Sequence, residues 1–332
     1  MRRIVAIFLL VCLLAGCAGQ RGMKKYEKAY FAAFDTYTTI SGFAQSQQAW
    51  DAVADALYEQ LWEYHQLFDI YNTYPGMNNL KTVNDQAGAS PVEVDPRIIA
   101  LLQDCKAYYE ATNGLVNVAM GSVLRLWHDA RTAGLADPQQ AALPDAAALE
   151  AAAKHTGWEH VIIDAEKATV YLEDPEMSLD VGAIAKGWAT QRVAEAAPAG
   201  VLLVVGGNVC ATGTKPDGSA WNVGVQDPEN SASYLRTCKL ESGAMVTSGD
   251  YQRYYTVDGK IYHHIIDPAT GYPAHYWRSV TIRCDRSDVA DLLSTALFLL
   301  PMEEGQALLQ QYNAAALWVD HDGQVFQSGD FG

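Results

Sequence analysis

Apolar residues recur every three or four positions in three long stretches of the chain. These stretches are residues 46–68, 95–112 and 287–300, and each predicts a helix with one apolar face. The alanine-rich residues 136–154 carry no candidate chemistry and predict a pair of surface helices around Pro144.

Shorter apolar runs, rich in β-branched and aromatic residues, predict strands. The predicted strands and hairpins cover residues 30–42, 160–172, 201–205, 221–225 and 314–326. The strands come in hairpins and do not alternate regularly with helices, which argues against a doubly wound sheet. We therefore predict an α+β fold with mixed, largely antiparallel sheets flanked by helices, in a single domain over residues 29–332.

Residues 178–188 read SLDVGAIAKGW and form the centre of the predicted chemistry. Gly182 and Gly187 allow positive φ or the close approach of another group. The run turns into a predicted helix, whose start offers free N–H groups and a partial positive charge to an anion. Lys186 adds a full charge, so the pattern indicates a phosphate-bearing ligand with Asp180 beside it. An ordinary strand-to-helix turn is the alternative.

The predicted C-terminal helix carries a candidate metal site. Asp291 and Thr295 are four residues apart and therefore share one helix face. A carboxylate and a hydroxyl are hard oxygen ligands of the kind that Mg²⁺ prefers. The alternative is a threonine bonded back to the helix backbone and an acid near the helix start, where Ser287 is the expected N-cap.

Two further stretches offer ligand contacts. Residues 69–84 lack a period and predict a loop, in which Tyr71 either stacks on a flat ligand ring or packs the loop. In the run YHHIIDPATGY, His263 and His264 face opposite sides of a strand, so at most one of them faces a ligand. A histidine near Asp267 is suited to act as a general base, although a His-His pair equally fits a polar surface.

The overall charge restricts the class of ligand. The net charge of -16 argues against a nucleic-acid partner, which requires clustered Lys and Arg. An acidic protein that binds a phosphorylated ligand needs a metal ion or a helix N-terminus to offset the repulsion.

The N-terminus predicts export and a lipid anchor. Residues 1–16 combine a basic start with an apolar run too short to span a bilayer, and they end in a Leu-Ala-Gly-Cys lipobox. We expect cleavage before Cys17, lipidation of that residue, and a polar tether over residues 17–28. The protein would then be extracytoplasmic and held at the membrane through Cys17. A plain secretory signal is the alternative.

The remaining cysteines are widely spaced and form no C-x-x-C pair. They are Cys105, Cys210, Cys238 and Cys284. This pattern is not typical of a zinc or redox motif. One or two disulfides and buried free thiols both remain consistent with the sequence.

Five motifs occur in a fixed order: DVGAIAKGW, VGGN, VTSGDYQRYY, HHIIDPATGYP and ADLLST. This set behind a lipobox closely resembles the ApbE family of FAD:protein FMN transferases, from about residue 30 to the C-terminus. The resemblance implies a Mg²⁺-dependent enzyme that takes FAD as substrate and transfers its FMN moiety to a Thr or Ser hydroxyl through a phosphoester bond. AMP is the implied second product, and flavoprotein subunits of membrane redox complexes are the implied acceptors.

The resemblance also assigns roles to residues. The implied metal ligands are Asp291, Thr295 and the backbone carbonyl of Ala183. The implied FAD contacts are Phe34, Tyr71, Asn117, Val118, Ala119, Asp180, Lys186 and Ile265. His264 matches the histidine of the family's H-x-I-D-P-x-T-G run, and we hypothesise that it takes the threonine proton while Asp267 orients the loop.

The chain departs from the family's commoner motifs in two places. Phe34 and Asp35 stand where Met-Gly is common, and Asn117 and Ala119 replace an acid and a hydroxyl. These changes alter the groups that hold the adenine or ribose. Two alternative functions use the same pocket: an FAD pyrophosphatase that yields FMN and AMP, and a non-catalytic flavin-binding lipoprotein, which would not need the predicted metal site.

Overall fold

Helices and antiparallel strands follow one another irregularly in residues 22–230 and 232–331, the residues described by the computed structural model. The strands are β1 (Lys24–Tyr30), β2 (Thr38–Ala44), β3 (Val92–Glu93), β4 (Val161–Asp164), β5 (Thr169–Leu172), β6 (Leu202–Val205), β7 (Asn208–Ala211), β8 (Trp221–Gln226), β9 (Tyr234–Leu240), β10 (Gly243–Gly249), β11 (Tyr254–Val257), β12 (Lys260–His263), β13 (Ser279–Cys284), β14 (Ala314–Val319) and β15 (Val325–Ser328). The α-helices are α1 (Gln47–Phe68), α2 (Leu80–Asp85), α3 (Pro96–Ala111), α4 (Gly121–Ala136), α5 (Ala146–Ala152), α6 (Ala185–Ala196), α7 (Ser287–Phe298) and α8 (Met302–Leu309).

The centre of the fold is an eight-stranded sheet in the order β1-β2-β6-β7-β10-β13-β14-β15. Every neighbouring pair in it is antiparallel. Smaller sheets are formed by β3-β5-β4, β8-β9 and β11-β12. The predicted α+β class with largely antiparallel sheets is therefore confirmed, as are the hairpins predicted over residues 160–172 and 314–326.

Both faces of the central sheet are covered. Helices α1, α6 and α7 pack on one face, and the β8–β9 hairpin packs on the other. Strand β14 shows how the sequence achieves this, because successive side chains of a strand point to opposite faces. Ala316 and Trp318 join the helix-side core, whereas Leu317 and Val319 join the hairpin-side core.

The caps explain where the predicted helices begin. The Ser46 hydroxyl accepts a hydrogen bond from the Ala49 N–H at the start of α1, and the Asp95 carboxylate accepts one from the Arg97 N–H at the start of α3. The N-cap predicted for α7 is wrong, because Arg286 occupies the cap position. Ser287 is the first residue of the helix, and its N–H donates to Oε1 of the Gln191 side chain at 2.8 Å.

Three predicted boundaries are wrong. The polar tether was predicted to extend to residue 28, but β1 begins at Lys24 and pairs with β2. The strand predicted over residues 30–42 is broken by a short 3-10 turn at Ala33–Asp35, where Phe34 takes φ of 55°. The alanine-rich segment holds the end of α4, the short α5 and the start of a 3-10 turn at Ala153–His155, because Pro138 and Pro144 interrupt it.

The predicted signal peptide and Cys17 lie outside the described residues. Within residues 22–230 and 232–331, no helix has the length and apolar character needed to cross a bilayer.

Candidate functional site

A cavity of about 890 Å³ opens where four parts of the chain meet. They are α4, α7, the loop after β12 and the turn at residues 178–184 before α6, which we call the central turn. All but two of the predicted site residues line the cavity. Those that line it are Phe34, Tyr71, Asn117, Asp180, Ala183, Lys186, His264, Ile265, Asp291 and Thr295. The motifs that the sequence spreads over more than 250 residues therefore meet in one place.

Val118 and Ala119 are the two exceptions. Both are buried in the core below the cavity, with exposed fractions of 1% and 0%. Their backbone is fixed, because the Val118 carbonyl accepts a hydrogen bond from the Asp180 N–H and the Asn117 side chain accepts one from the Ala119 N–H. Of this segment's predicted contacts, only Asn117 reaches the cavity wall.

The central turn is held rigidly against the rest of the wall. The Asn84 side chain both accepts from the Leu179 N–H and donates to the Leu179 carbonyl, at 2.8 and 2.9 Å. Oδ1 of Asp180 accepts from the Gly182 N–H at 2.9 Å. Helix α6 begins three residues later at Ala185, and Lys186 lies in its first turn. The predicted arrangement of a turn, a helix start and a cation is therefore present at the cavity wall.

Asp291 is a buried carboxylate on the cavity wall, with 4% of its surface exposed. Its Oδ2 accepts a hydrogen bond of 2.7 Å from the Gly187 N–H. Burial raises the pKa of Asp291, while the charge of Lys186 and the Gly187 hydrogen bond act in the opposite direction. The Asn208 side chain also lowers the pKa of Asp291, although Nδ2 of Asn208 has no hydrogen-bond partner among the described residues.

The oxygen atoms near Asp291 fit a hard cation. Thr295 follows one helical turn later, and both its hydroxyl and the Ala183 carbonyl are free of hydrogen bonds from other described residues. No group of three or more His, Cys, Asp or Glu side chains that could hold a metal occurs among residues 22–230 and 232–331. A carboxylate, a hydroxyl and a carbonyl are ligands suited to Mg²⁺, which keeps its remaining positions for water and phosphate.

The two neighbouring histidines have different tasks. Nε2 of His263 donates to the Ala274 carbonyl at 2.8 Å, and its Nδ1 accepts from the Ile265 N–H at 3.2 Å. Both ring nitrogens of His263 are therefore hydrogen-bonded to the backbone. Nδ1 of His264 lies 3.2 Å from the Arg253 carbonyl, which identifies Nδ1 as the protonated nitrogen. Nε2 of His264 is therefore the nitrogen with a free lone pair.

The environment of His264 keeps its ring neutral. Burial and the nearby charge of Arg253 lower the pKa of His264 to about 3. Asp267 does not form a hydrogen bond or ion pair with His264. Its carboxylate accepts from the Ala269 N–H at 2.8 Å, and its carbonyl accepts from the Gly271 N–H, so that it shapes the turn after the histidines. This agrees with the hypothesis that Asp267 orients the loop.

Arg131 and Arg253 line the cavity and were not assigned from the sequence. Within the described part of the chain, neither of them nor Lys186 has a carboxylate at ion-pair distance. Arg253 stands inside the quoted motif VTSGDYQRYY, whereas Arg131 lies outside all five quoted motifs. Three cations without acidic partners are unexpected in a chain of net charge -16, and they make the cavity suited to a polyanionic ligand.

Two aromatic side chains form a flat part of the wall. The Phe34 N–H donates to Nδ1 of His65 at 3.2 Å, and the Phe34 backbone is left-handed, which is rare for a bulky residue. The Tyr71 ring stacks on His128 with centroids 4.9 Å apart, yet half of Tyr71 remains exposed. Tyr71 therefore packs on one side and offers its remaining surface to the cavity.

Comparisons with known proteins agree on one family. A family model described as "ApbE family" matches residues 34–318. The chain is 33% identical to a FAD:protein FMN transferase of Treponema pallidum (strain Nichols), over 96% of this chain and 92% of that protein. It is 31% identical to a FAD:protein FMN transferase of Klebsiella pneumoniae (strain 342), over 79% of each. The crystal structure of an ApbE protein from Thermotoga maritima matches with a TM-score of 0.81 and 31% identity, covering 93% of this chain and 98% of that one.

Proposed function

The chain belongs to the ApbE family and is an FAD:protein FMN transferase, and we propose that it joins the FMN moiety of FAD to a Thr or Ser hydroxyl of an acceptor protein. The proposed reaction depends on Mg²⁺, forms a phosphoester bond and releases AMP. The observation that carries this proposal is the cavity itself, which combines a buried carboxylate at Asp291 with cations that have no acidic partner among the described residues. Such a site suits a diphosphate and a divalent cation together.

In the proposed reaction, the acceptor hydroxyl oxygen forms a bond to the phosphorus of the FMN half, and the P–O bond to the AMP half breaks. The electron pair of that bond leaves with AMP, and Nε2 of His264 accepts the hydroxyl proton. Lys186 and the N-terminus of α6 hold phosphate oxygens. Mg²⁺ on Asp291, Thr295 and the Ala183 carbonyl would neutralise charge on the diphosphate.

Mass spectrometry of an acceptor peptide tests this function directly. The peptide carries the family's threonine motif and is incubated with the protein, FAD and Mg²⁺. We expect a mass gain of one FMN residue that is lost with EDTA, with Asp291→Ala, or with the acceptor threonine replaced by alanine. Free FMN and AMP beside an unmodified peptide would favour an FAD pyrophosphatase. FAD that binds but is not consumed would favour a flavin-binding protein.

We further propose that the acceptors are flavoprotein subunits of membrane redox complexes, and that lipid on Cys17 holds the enzyme at the same membrane. The support is the lipobox sequence at residues 14–17. Membrane fractionation of wild type and Cys17→Ala tests the anchor, because loss of the lipid should move the protein to the soluble fraction. An unchanged distribution would contradict it.

A further inference from the structure

Three side chains on one wall of the cavity share a single nitrogen atom. His128 and Arg131 are three residues apart on α4, and so they lie on one face of that helix. Nη2 of Arg131 and the hydroxyl of Tyr71 each lie 3.3 Å from Nδ1 of His128. Because arginine can only donate, Nδ1 of His128 accepts, which leaves the proton of the neutral ring on Nε2.

The charge of Arg131 is not compensated within the described structure. The side chain is partly buried, and the strongest effect of another charged group on it comes from the like charge of Arg253. Burial and Arg253 together lower the pKa of Arg131. A partly buried cation without an acidic partner is costly, and a bound anion would offset that cost. The guanidinium geometry matches phosphate oxygens especially well.

We propose that Arg131 binds a phosphate oxygen of the dinucleotide substrate, and that His128 is a positioning residue for both the Arg131 guanidinium and the Tyr71 ring. This inference rests on the proposed function, because it takes FAD as the ligand. The His128 imidazole contacts both side chains through Nδ1. It would therefore hold the Arg131 cation in place for the diphosphate and the Tyr71 ring in place for a flat ring of the ligand.

Titrations with FAD and riboflavin, followed by flavin fluorescence, test the role of Arg131. Riboflavin lacks phosphate, so Arg131→Gln should weaken FAD binding roughly 10- to 100-fold and leave riboflavin binding unchanged. The matched control is Arg125→Gln, an exposed arginine on the same helix, which should alter neither affinity. Unchanged FAD affinity in Arg131→Gln would overturn this inference alone. Failure of the wild type to bind FAD would overturn the proposed function as well.

A double-mutant cycle tests His128. His128→Phe keeps a ring beside Tyr71 but removes the acceptor nitrogen, so it should lower FAD affinity about as much as Arg131→Gln does. The double variant should lose little more, because both changes remove the same interaction. Additive losses would overturn the positioning role. An unchanged melting temperature shows that each variant is folded.

Discussion

The backbone N–H of Gly187 donates a hydrogen bond of 2.7 Å to Oδ2 of Asp291, across the contact between α6 and α7. A Cβ atom on Gly187 would lie 2.3 Å from Cβ of Asp291 and 2.6 Å from the carbonyl oxygen of Ser287. Glycine is therefore required for the two helices to approach this closely. The contact therefore links the start of α6, next to the central turn, to the proposed metal ligand Asp291.

Replacing Gly187 by alanine should force α6 and α7 apart. We expect a loss of about 1–3 kcal/mol in the free energy of unfolding, as for other overpacked sites, together with reduced FMN transfer. Chemical denaturation and the peptide assay measure the two effects. The matched control is Gly305→Ala in α8, where a Cβ would lie 3.4 Å from Cγ of Leu297 and fits. Equal destabilisation by both substitutions would contradict the close-approach argument.

Asp291→Asn should abolish the response to Mg²⁺ while preserving the fold. The amide keeps the shape of the carboxylate but loses the charge that a hard cation requires. We expect Mg²⁺ to raise the melting temperature of the wild type through binding to the folded state, but not that of the variant. FMN transfer should fall by at least about 100-fold.

Two further variants control that experiment. Thr295→Val removes the second side-chain ligand and should reduce the Mg²⁺-induced shift. Asp285→Asn removes the same charge from an exposed position outside the cavity and should leave the shift unchanged. A Mg²⁺ response that survives in Asp291→Asn would show that the cation binds elsewhere.

The sequence predicted local elements better than their contacts. The spacing of apolar residues is a local signal, and it located α1 and α3 to within a residue. The four-residue spacing of Asp291 and Thr295 was equally readable. The hydrogen bond from Gly187 to Asp291 could not be predicted, because 104 residues separate the two and the spacing of apolar residues carries no information about such distant pairs.

Two features near the site were missed. No element was predicted over residues 113–135, so nothing indicated that α4 would carry His128 and Arg131 into the cavity. The left-handed φ values of Ala32, Phe34 and Asp35 break the strand predicted over residues 30–42. Non-glycine residues rarely adopt that conformation, and only the surrounding structure can impose it.

The cysteines should behave as unreactive thiols. All four described cysteines are free, and Cys284 alone is not fully buried. Burial raises the pKa of Cys210 to about 12 and that of Cys284 to about 11, so thiolate is scarce at neutral pH. Thiol labelling should be slow in the native protein and fast in denaturant, and reductant should not change the melting temperature. Rapid native labelling would contradict the burial.

His264 should remain an active base at mildly acidic pH. Because its pKa is lowered from 6.5 to about 3, the imidazole stays neutral between pH 8 and pH 5. The profile of kcat/KM for transfer should therefore show no fall centred near pH 6.5. His264→Gln should lower kcat by about 100- to 10,000-fold, the usual contribution of a general base, with little change in FAD affinity. An acid limb near pH 6.5 that disappears in His264→Gln would show that His264 titrates at its ordinary pKa, and it would contradict the neutral ring.

The same pKa shift makes a prediction about stability. In the unfolded chain the His264 imidazole binds a proton below pH 6.5, whereas in the folded protein it resists protonation down to about pH 3. The unfolded state therefore holds more protons in that interval, and acid favours unfolding, by at most about 1.4 kcal/mol per pH unit from this group. His264→Gln removes this effect. As pH falls below 6.5, the unfolding free energy of the wild type should therefore decrease more than that of the variant. Parallel stability curves for the two proteins over that interval would mean that His264 binds its proton equally well in the folded and unfolded states, which would contradict the lowered pKa.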